Sequence, residues 1–204
     1  MLDLKRGVEL SLSEVGVPHF FVFYKSLYEV FMQERIRNCV LQVIAESEGT
    51  RGEGVYLIDL KVKGKGSARK IEILVDADSG IRIHQCAYLS RRIREKLEGD
   101  DELLELIGEN FDLMVSSPGL GEPIIISRQY IRHIGKLMQI SYIDSSGEQV
   151  ELRGHLLEAS LSGESEARIV IMPEKDKRKR QQPKTEGITL YLNQVIRAVP
   201  EAEF

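Results

Sequence analysis

Clusters of lysine and arginine are the residues of this chain best suited to chemistry, and the chemistry they suit is contact with phosphate groups. In the polar stretch 174–187, residues 175–180 contain five cations and a single carboxylate, Asp176. Such a cluster favours a local RNA contact, and its alternative is a solvated loop that serves solubility alone. The candidate contact residues are Lys175, Lys177, Arg178, Lys179, Arg180 and Lys184.

A second group of cations lies on a predicted helix from about His84 to Glu98. Four cations fall within residues 91–96 and could face RNA. Glu95 and Glu98 could instead pair with them on a solvated helix face, so the pattern leaves both interpretations open. The candidate contact residues here are Arg91, Arg92 and Arg94, with Lys96 beside them.

The sequence contains no arrangement of residues that predicts catalysis. Ser116 and Ser117 lack a Gly-x-Ser-x-Gly motif and an identifiable histidine or acid partner, so we expect them to hydrogen-bond the turn that follows. The four histidines do not have the spacing of metal ligands, and no nucleotide-binding glycine motif is present. We therefore expect a protein that is not an enzyme and holds no metal or cofactor.

The composition limits the classes of function that remain. A net charge of −4 argues against a general nucleic-acid coat, so any RNA contact must be local. No stretch approaches the roughly 18 consecutive apolar residues of a membrane-spanning helix. Cys39 and Cys86 lie far apart and no secretory signal is evident, so we expect reduced thiols in the cytoplasm and no contact with a membrane.

Residues 111–123 separate two stretches with different patterns. Phe111, Leu113 and Val115 alternate with less apolar neighbours, which predicts a half-buried strand. Prolines and a glycine then favour a short, semi-rigid connector, and we place a domain hinge at 118–123. The predicted hinge residues are Ser116, Ser117, Pro118, Gly119, Leu120 and Pro123.

The two stretches on either side of this hinge predict different domains. Residues 32–117 read as helix, two strands, two helices and a strand, which makes an α+β layer in the order α-β-β-α-α-β. Residues 124–204 read as one short helix and about five short strands, which is what a small closed β-barrel needs.

Residues 1–31 form an atypical N-terminal extension. Aromatic residues crowd into positions 20–31, and Met32 follows at once. We predict that translation begins at Met32 and that the preceding segment reflects the assigned start. The alternative is an amphipathic helix for a partner or a membrane surface.

With these elements placed, the chain resembles the bacterial ribosome maturation factor family RimP over about residues 34–200. The Ser-Ser-Pro-Gly-Leu segment at the end of the predicted strand is the most specific part of the resemblance. The residues that carry it are Ile71 to Asp76, Gly80-Ile81, Cys86-Ala87, Ser90-Arg91, Val115 to Leu120, Arg128 to Gly135 and Val195 to Val199.

The resemblance implies a fold and a function. The fold would be a KH-like α+β domain followed by an Sm-like β-barrel. The function would be maturation of the small (30S) ribosomal subunit by a monomeric, non-enzymatic factor. Its implied partners are the immature subunit, the adjacent 16S rRNA and a ribosomal protein of the decoding centre, small-subunit protein twelve. The alternative is a free-standing Sm-like module that forms rings and acts on small RNAs.

The chain departs from the family pattern at the predicted hinge. Where the family commonly has Leu-Asp-Arg-Pro, this chain has Leu120-Gly121-Glu122-Pro123, so an anion stands in place of a cation. A phosphate contact is therefore not expected at Glu122.

A KH domain also holds the nucleic-acid backbone with a Gly-x-x-Gly loop, but the matching segment here, 98–102, carries four carboxylates that would repel phosphate.

Overall fold

The computed structural model describes residues 19–64, 69–119, 121–163, 166–174 and 186–202, with side chains described from residue 27 onward. These residues form two sheets, each with its own hydrophobic core. We refer to residues 19–119 as the N-terminal half and to residues 121–202 as the C-terminal half.

The N-terminal half has the predicted order of helices and strands. The antiparallel pair β1–β2 is extended by β3, which runs parallel to β2, so the sheet order is β1-β2-β3. The elements are α1 (His19–Ala45), β1 (Val55–Lys63), β2 (Arg69–Ala77), α2 (Ile83–Glu98), α3 (Asp101–Ile107) and β3 (Phe111–Ser116).

Helix α1 is longer than the sequence predicts. It was expected to begin near Glu34, but it begins at His19 and continues through Met32. No glycine or proline interrupts residues 19–45, so nothing in the local sequence ends the helix at the methionine. The predicted extension 1–31 is therefore partly helical, and the predicted start at Met32 stays a prediction.

The core of the N-terminal half follows from helical and strand periodicity. Leu89, Ile93 and Leu97 of α2 are fully buried and recur every four residues, so they lie on one face of the helix. They share a core with Ile71 and Ile73 of β2. Layered packing of this kind buries one face of the sheet under the helices.

The C-terminal half contains the predicted short helix and five strands. All strand pairs are antiparallel, and the sheet order is β7-β6-β5-β4-β8. The elements are α4 (Gln129–Arg132), β4 (Leu137–Ile143), β5 (Gln149–Ser160), β6 (Arg168–Pro173), β7 (Ile188–Tyr191) and β8 (Val195–Pro200).

The prediction of a closed barrel is wrong for the described residues. Closure requires the two edge strands to pair, but β7 and β8 stand at opposite edges of an open sheet. The main-chain nitrogen of Ile124 instead donates to the carbonyl of Ala198 on β8, at 2.8 Å. The segment that enters this half thus occupies part of the edge that closure would need. The KH-like and Sm-like assignments stay predictions.

Replacement of Ile93 by alanine is expected to lower the free energy of unfolding of the N-terminal half by about 3 kcal/mol, because it leaves a cavity in a fully buried site. Urea unfolding followed by circular dichroism measures this loss. Ile83 on the same helix is 90% exposed and provides the matched control: Ile83→Ala should change the free energy by less than about 0.5 kcal/mol. Equal losses in the two variants would contradict the assigned core.

Candidate functional site

The two halves meet where helix α4 lies against the end of strand β2. Nη1 of Arg132 donates to Oδ1 of Asp76 at 2.5 Å, and the Asp76 side chain has no exposed surface. The same carboxylate oxygen accepts a hydrogen bond from the main-chain nitrogen of Ala77 at 2.9 Å. A buried carboxylate needs a counter-charge, and here the other half of the chain supplies it.

A second ion pair lies one helical turn earlier on the same segment. Nε and Nη2 of Arg128 donate to the two carboxylate oxygens of Asp78, both at 3.0 Å, in the fork geometry that guanidinium groups favour. The Arg128 guanidinium also lies over the ring of Tyr56, 4.4 Å from its centroid. The α4–β2 contact, as we use the term below, consists of Tyr56, Asp76 and Asp78 on one side and Arg128 and Arg132 on the other.

Two buried polar atoms of the α4–β2 contact have no hydrogen-bond partner among the described residues. They are the hydroxyl of Tyr56 and Oδ2 of Asp76, and these two residues stand opposite each other on β1 and β2. Burial, with a smaller effect of the neighbouring carboxylates, raises the pKa of Tyr56 to about 12. The hydroxyl therefore stays protonated. The contact thus contains one buried donor, the Tyr56 hydroxyl, and one buried acceptor, Oδ2 of Asp76, that no described residue satisfies.

The connector between the halves (residues 117–126) is bonded mainly to the C-terminal half. The side-chain oxygen of Gln129 accepts hydrogen bonds from the main-chain nitrogens of Ile125 and Ile126, at 2.8 and 3.0 Å. Ile124 is held to β8, as described above. At the other end, Ser116 still pairs with Leu74 in the sheet of the N-terminal half. Residues 117–123 therefore lie between Ser116, the last residue paired in the N-terminal half, and Ile124, the first residue bonded to the C-terminal half.

The predicted hinge residues fall in three different settings. Ser116 is the last residue of β3, Ser117, Pro118 and Gly119 follow it without regular structure, and Pro123 comes just before the anchored Ile124. Leu120 lies outside the described residues. The hinge itself therefore stays a prediction.

A cleft of about 460 Å³ opens beside the α4–β2 contact. The connector, the end of α4 and the residues that follow β8 form its walls, and Asp76, Glu122, Arg132, His133 and Lys136 are among its polar lining residues. Burial, reinforced by the neighbouring Arg132, holds the pKa of His133 below its ordinary value of 6.5. The cleft thus offers groups of both charges and a neutral histidine to a polar ligand.

Two of the cations predicted on helix α2 have partners in their own helix, and Lys96 pairs with Glu46, which follows the end of α1. Arg92 pairs with Glu95 at 2.8 Å, and Arg94 pairs with Glu98 at 3.1 Å. Arg94 also lies 4.8 Å from the centroid of the Phe111 ring. These ion pairs fit a solvated helix face, and the RNA contact of Arg91, Arg92 and Arg94 stays a prediction. Arg91 is exposed.

The other predicted cluster lies outside the described residues: Lys175, Lys177, Arg178, Lys179, Arg180 and Lys184. Its role as an RNA contact stays a prediction.

Sequence reasoning missed the residues of the α4–β2 contact. Two signals could have found them. Asp76 is a carboxylate directly after an apolar strand, and Arg128 and Arg132 are spaced four apart, which places them on one face of a helical turn.

None of the described helices combines the length and the apolar character that crossing a membrane requires.

Comparison with known proteins supplies the identification. A family model described as the RimP N-terminal domain matches residues 48–121. Three relatives carry the name Ribosome maturation factor RimP. The protein from Pelodictyon phaeoclathratiforme is 77% identical over 172 residues, which is 84% of this chain and 99% of the relative. The one from Chlorobium phaeovibrioides is 54% identical over the same shares. The one from Chlorobium limicola is 49% identical over 175 residues, 85% of this chain and 99% of the relative.

A mixed α+β chain with these relatives falls in the class of bacterial ribosome maturation factors. Within that class, the chain belongs to the RimP family. The family resemblance predicted from the sequence is therefore confirmed.

The lowered pKa of His133 predicts a pH dependence of stability. The folded state favours the neutral imidazole, so the stabilisation is complete above the ordinary pKa of 6.5 and is lost as the pH falls from there through the lowered pKa of the folded state. Urea unfolding at pH 7.5 and at pH 5 should show a larger loss of stability for the unchanged protein than for His133→Gln. The control is His84→Gln at an exposed position, which should keep the full loss. Identical losses in the unchanged protein and in His133→Gln would contradict the assignment.

Proposed function

We propose that this protein binds the immature small (30S) ribosomal subunit in the cytoplasm and assists its maturation without catalysis. The observation that carries the proposal is 77% identity with a ribosome maturation factor over 99% of that relative's length. Two separate hydrophobic cores joined by a short connector support it, since each half can offer its own binding surface. Once one half is bound, the second contact forms at a high effective concentration.

The proposed partners on the subunit are the adjacent 16S rRNA and small-subunit protein twelve of the decoding centre. We assign the RNA contact first to the cations of 175–184, because Arg92 and Arg94 of α2 already have carboxylate partners. A net charge of −4 gives little general attraction to RNA, so a concentrated group of cations is needed.

The alternative function, a ring-forming RNA module, is less well supported. Rings of small β-domains form when the edge strand of one copy pairs with that of the next. Here the connector occupies part of the outer edge of β8 through the hydrogen bond from Ile124 to Ala198. We therefore propose that the protein acts as a monomer.

Co-sedimentation with immature small subunits, mature small subunits and whole ribosomes tests the proposal. The protein should bind the immature particle selectively, and less at moderate than at low salt, because cation–phosphate contacts release counter-ions. Reversal of four charges, by Lys177→Glu, Arg178→Glu, Lys179→Glu and Arg180→Glu together, should weaken this binding by roughly tenfold or more. Reversal of the exposed Arg91 to glutamate is the control and should have little effect.

Equal binding to all three particles, or to none, would contradict the proposed function. Selective binding that is lost in Arg91→Glu but not in the fourfold variant would keep the function and move the RNA contact to helix α2. A ring-sized species in light scattering would favour the alternative module instead.

A further inference from the structure

We infer that Arg128, just before α4, and Arg132, its last residue, fix the angle between the two domains through Asp78 and Asp76 of the other half, and so act as positioning residues for ribosome binding. This inference rests on the proposed function where it concerns binding. Where it concerns the angle, it stands on the geometry alone.

The connector by itself does not hold the two halves at a fixed angle. Residues 117–123 lie between the last residue paired in β3 and the first residue bonded to β8. This stretch includes Gly119 and Gly121, and Gly121 has a φ of 79°, a region that glycine enters without strain. Pro118 and Pro123 restrict this stretch and Glu122 is hydrogen-bonded to Gly119, but Gly119 and Gly121 themselves can rotate at low cost, so a contact elsewhere is needed to select one orientation.

The α4–β2 contact has the geometry to do so. One ion pair between two bodies acts as a pivot, whereas two pairs side by side also stop rotation about that pivot. Arg128 and Arg132 are four residues apart on one segment, and their partners Asp76 and Asp78 are two residues apart on the other. The two bonds therefore act together as a two-point attachment.

The groups on both sides are held in fixed orientations where the halves are in contact. Asp76 is oriented by the main-chain N–H of Ala77 and has no exposed surface. The Arg128 guanidinium makes two hydrogen bonds to Asp78 and lies against the Tyr56 ring, so its plane is set by both. Planar, forked contacts of this kind specify orientation as well as distance.

The strength of the contact suits a reversible attachment. The Arg128–Asp78 pair is about half exposed, and exposed ion pairs are weak and are screened by salt. In the Arg132–Asp76 pair the carboxylate is fully buried, while the arginine side chain keeps 24% of its surface exposed, so water reaches this pair as well. The closed angle is therefore favoured without being locked.

Residual dipolar couplings of the ¹⁵N-labelled full chain measure the angle directly. In the unchanged protein, couplings from the two sheets should fit a single alignment tensor, because the halves move as one body. In Arg128→Gln the two sheets should require two tensors of different magnitude. Arg132→Gln should likewise require two tensors. The amide spectra within each core should stay unchanged in both variants, because the variants change the angle between the halves and not their folding.

The chain offers a closely matched control, Arg153→Gln. Nε and Nη2 of Arg153 both donate to Oε2 of Glu201, at 3.0 and 2.8 Å, and Nη1 pairs with Glu174, also in the C-terminal half. The Arg153 side chain is 49% exposed, against 50% for Arg128. Both of these glutamates lie in the C-terminal half, so loss of the ion pairs should leave the single tensor intact. The charge swap Asp78→Arg with Arg128→Asp should restore the single tensor that Arg128→Gln loses.

The affinity for immature subunits should depend on the angle between the two halves. Arg128→Gln is expected to weaken it by about fivefold, the upper range for one exposed ion pair, and the charge swap should recover most of the loss. A single tensor in the Arg128→Gln and Arg132→Gln double variant would overturn the inference about the angle. A changed angle with unchanged affinity would overturn the positioning role. If the unchanged protein fails to bind the immature subunit, the proposed function fails, and the tensors still decide the inference about the angle.

Discussion

The carboxylate of Asp76 is the group on which the relation between the two halves depends. Asp76 is the second-to-last residue of β2, its side chain has no exposed surface, and Arg132 of the C-terminal half supplies its counter-charge. Burial of an unpaired carboxylate costs several kcal/mol, so the pairing of Asp76 with the Arg132 guanidinium favours the arrangement in which the two halves are in contact. An electrostatic requirement at one residue thus couples two structures that fold around separate cores.

Apolar burial and ion pairing have different roles in this structure. Apolar burial, as at Ile93 in one core and Met138 in the other, stabilises each half without reference to its partner. The ion pairs between the halves set their relative orientation, through contacts that are directional but individually weak. Under the proposed function, such contacts give the protein a fixed binding shape that can be released at low cost.

Local patterns predicted the elements well, because helical and strand periodicity record which faces are buried, as Leu89, Ile93 and Leu97 show. What the patterns missed depends on distant pairs. Asp76 and Arg132 are 56 residues apart, and the sequence around either residue does not indicate that the other is its partner. The open sheet was missed for the same reason, since closure depends on which edges meet in space. On α2 the sequence contained both the cations and their carboxylate partners, but which side chains pair became visible only when they were placed in space. The RNA contact of this helix stays a prediction.

The central claim is that both halves, held at the angle of the α4–β2 contact, bind the immature small subunit together. Electron cryo-microscopy of the protein bound to that particle tests it most directly. The account predicts density for both halves against the particle, with Arg128 and Arg132 still on Asp78 and Asp76. Density in which one half alone touches the particle, while the other is detached from it, would contradict the claim.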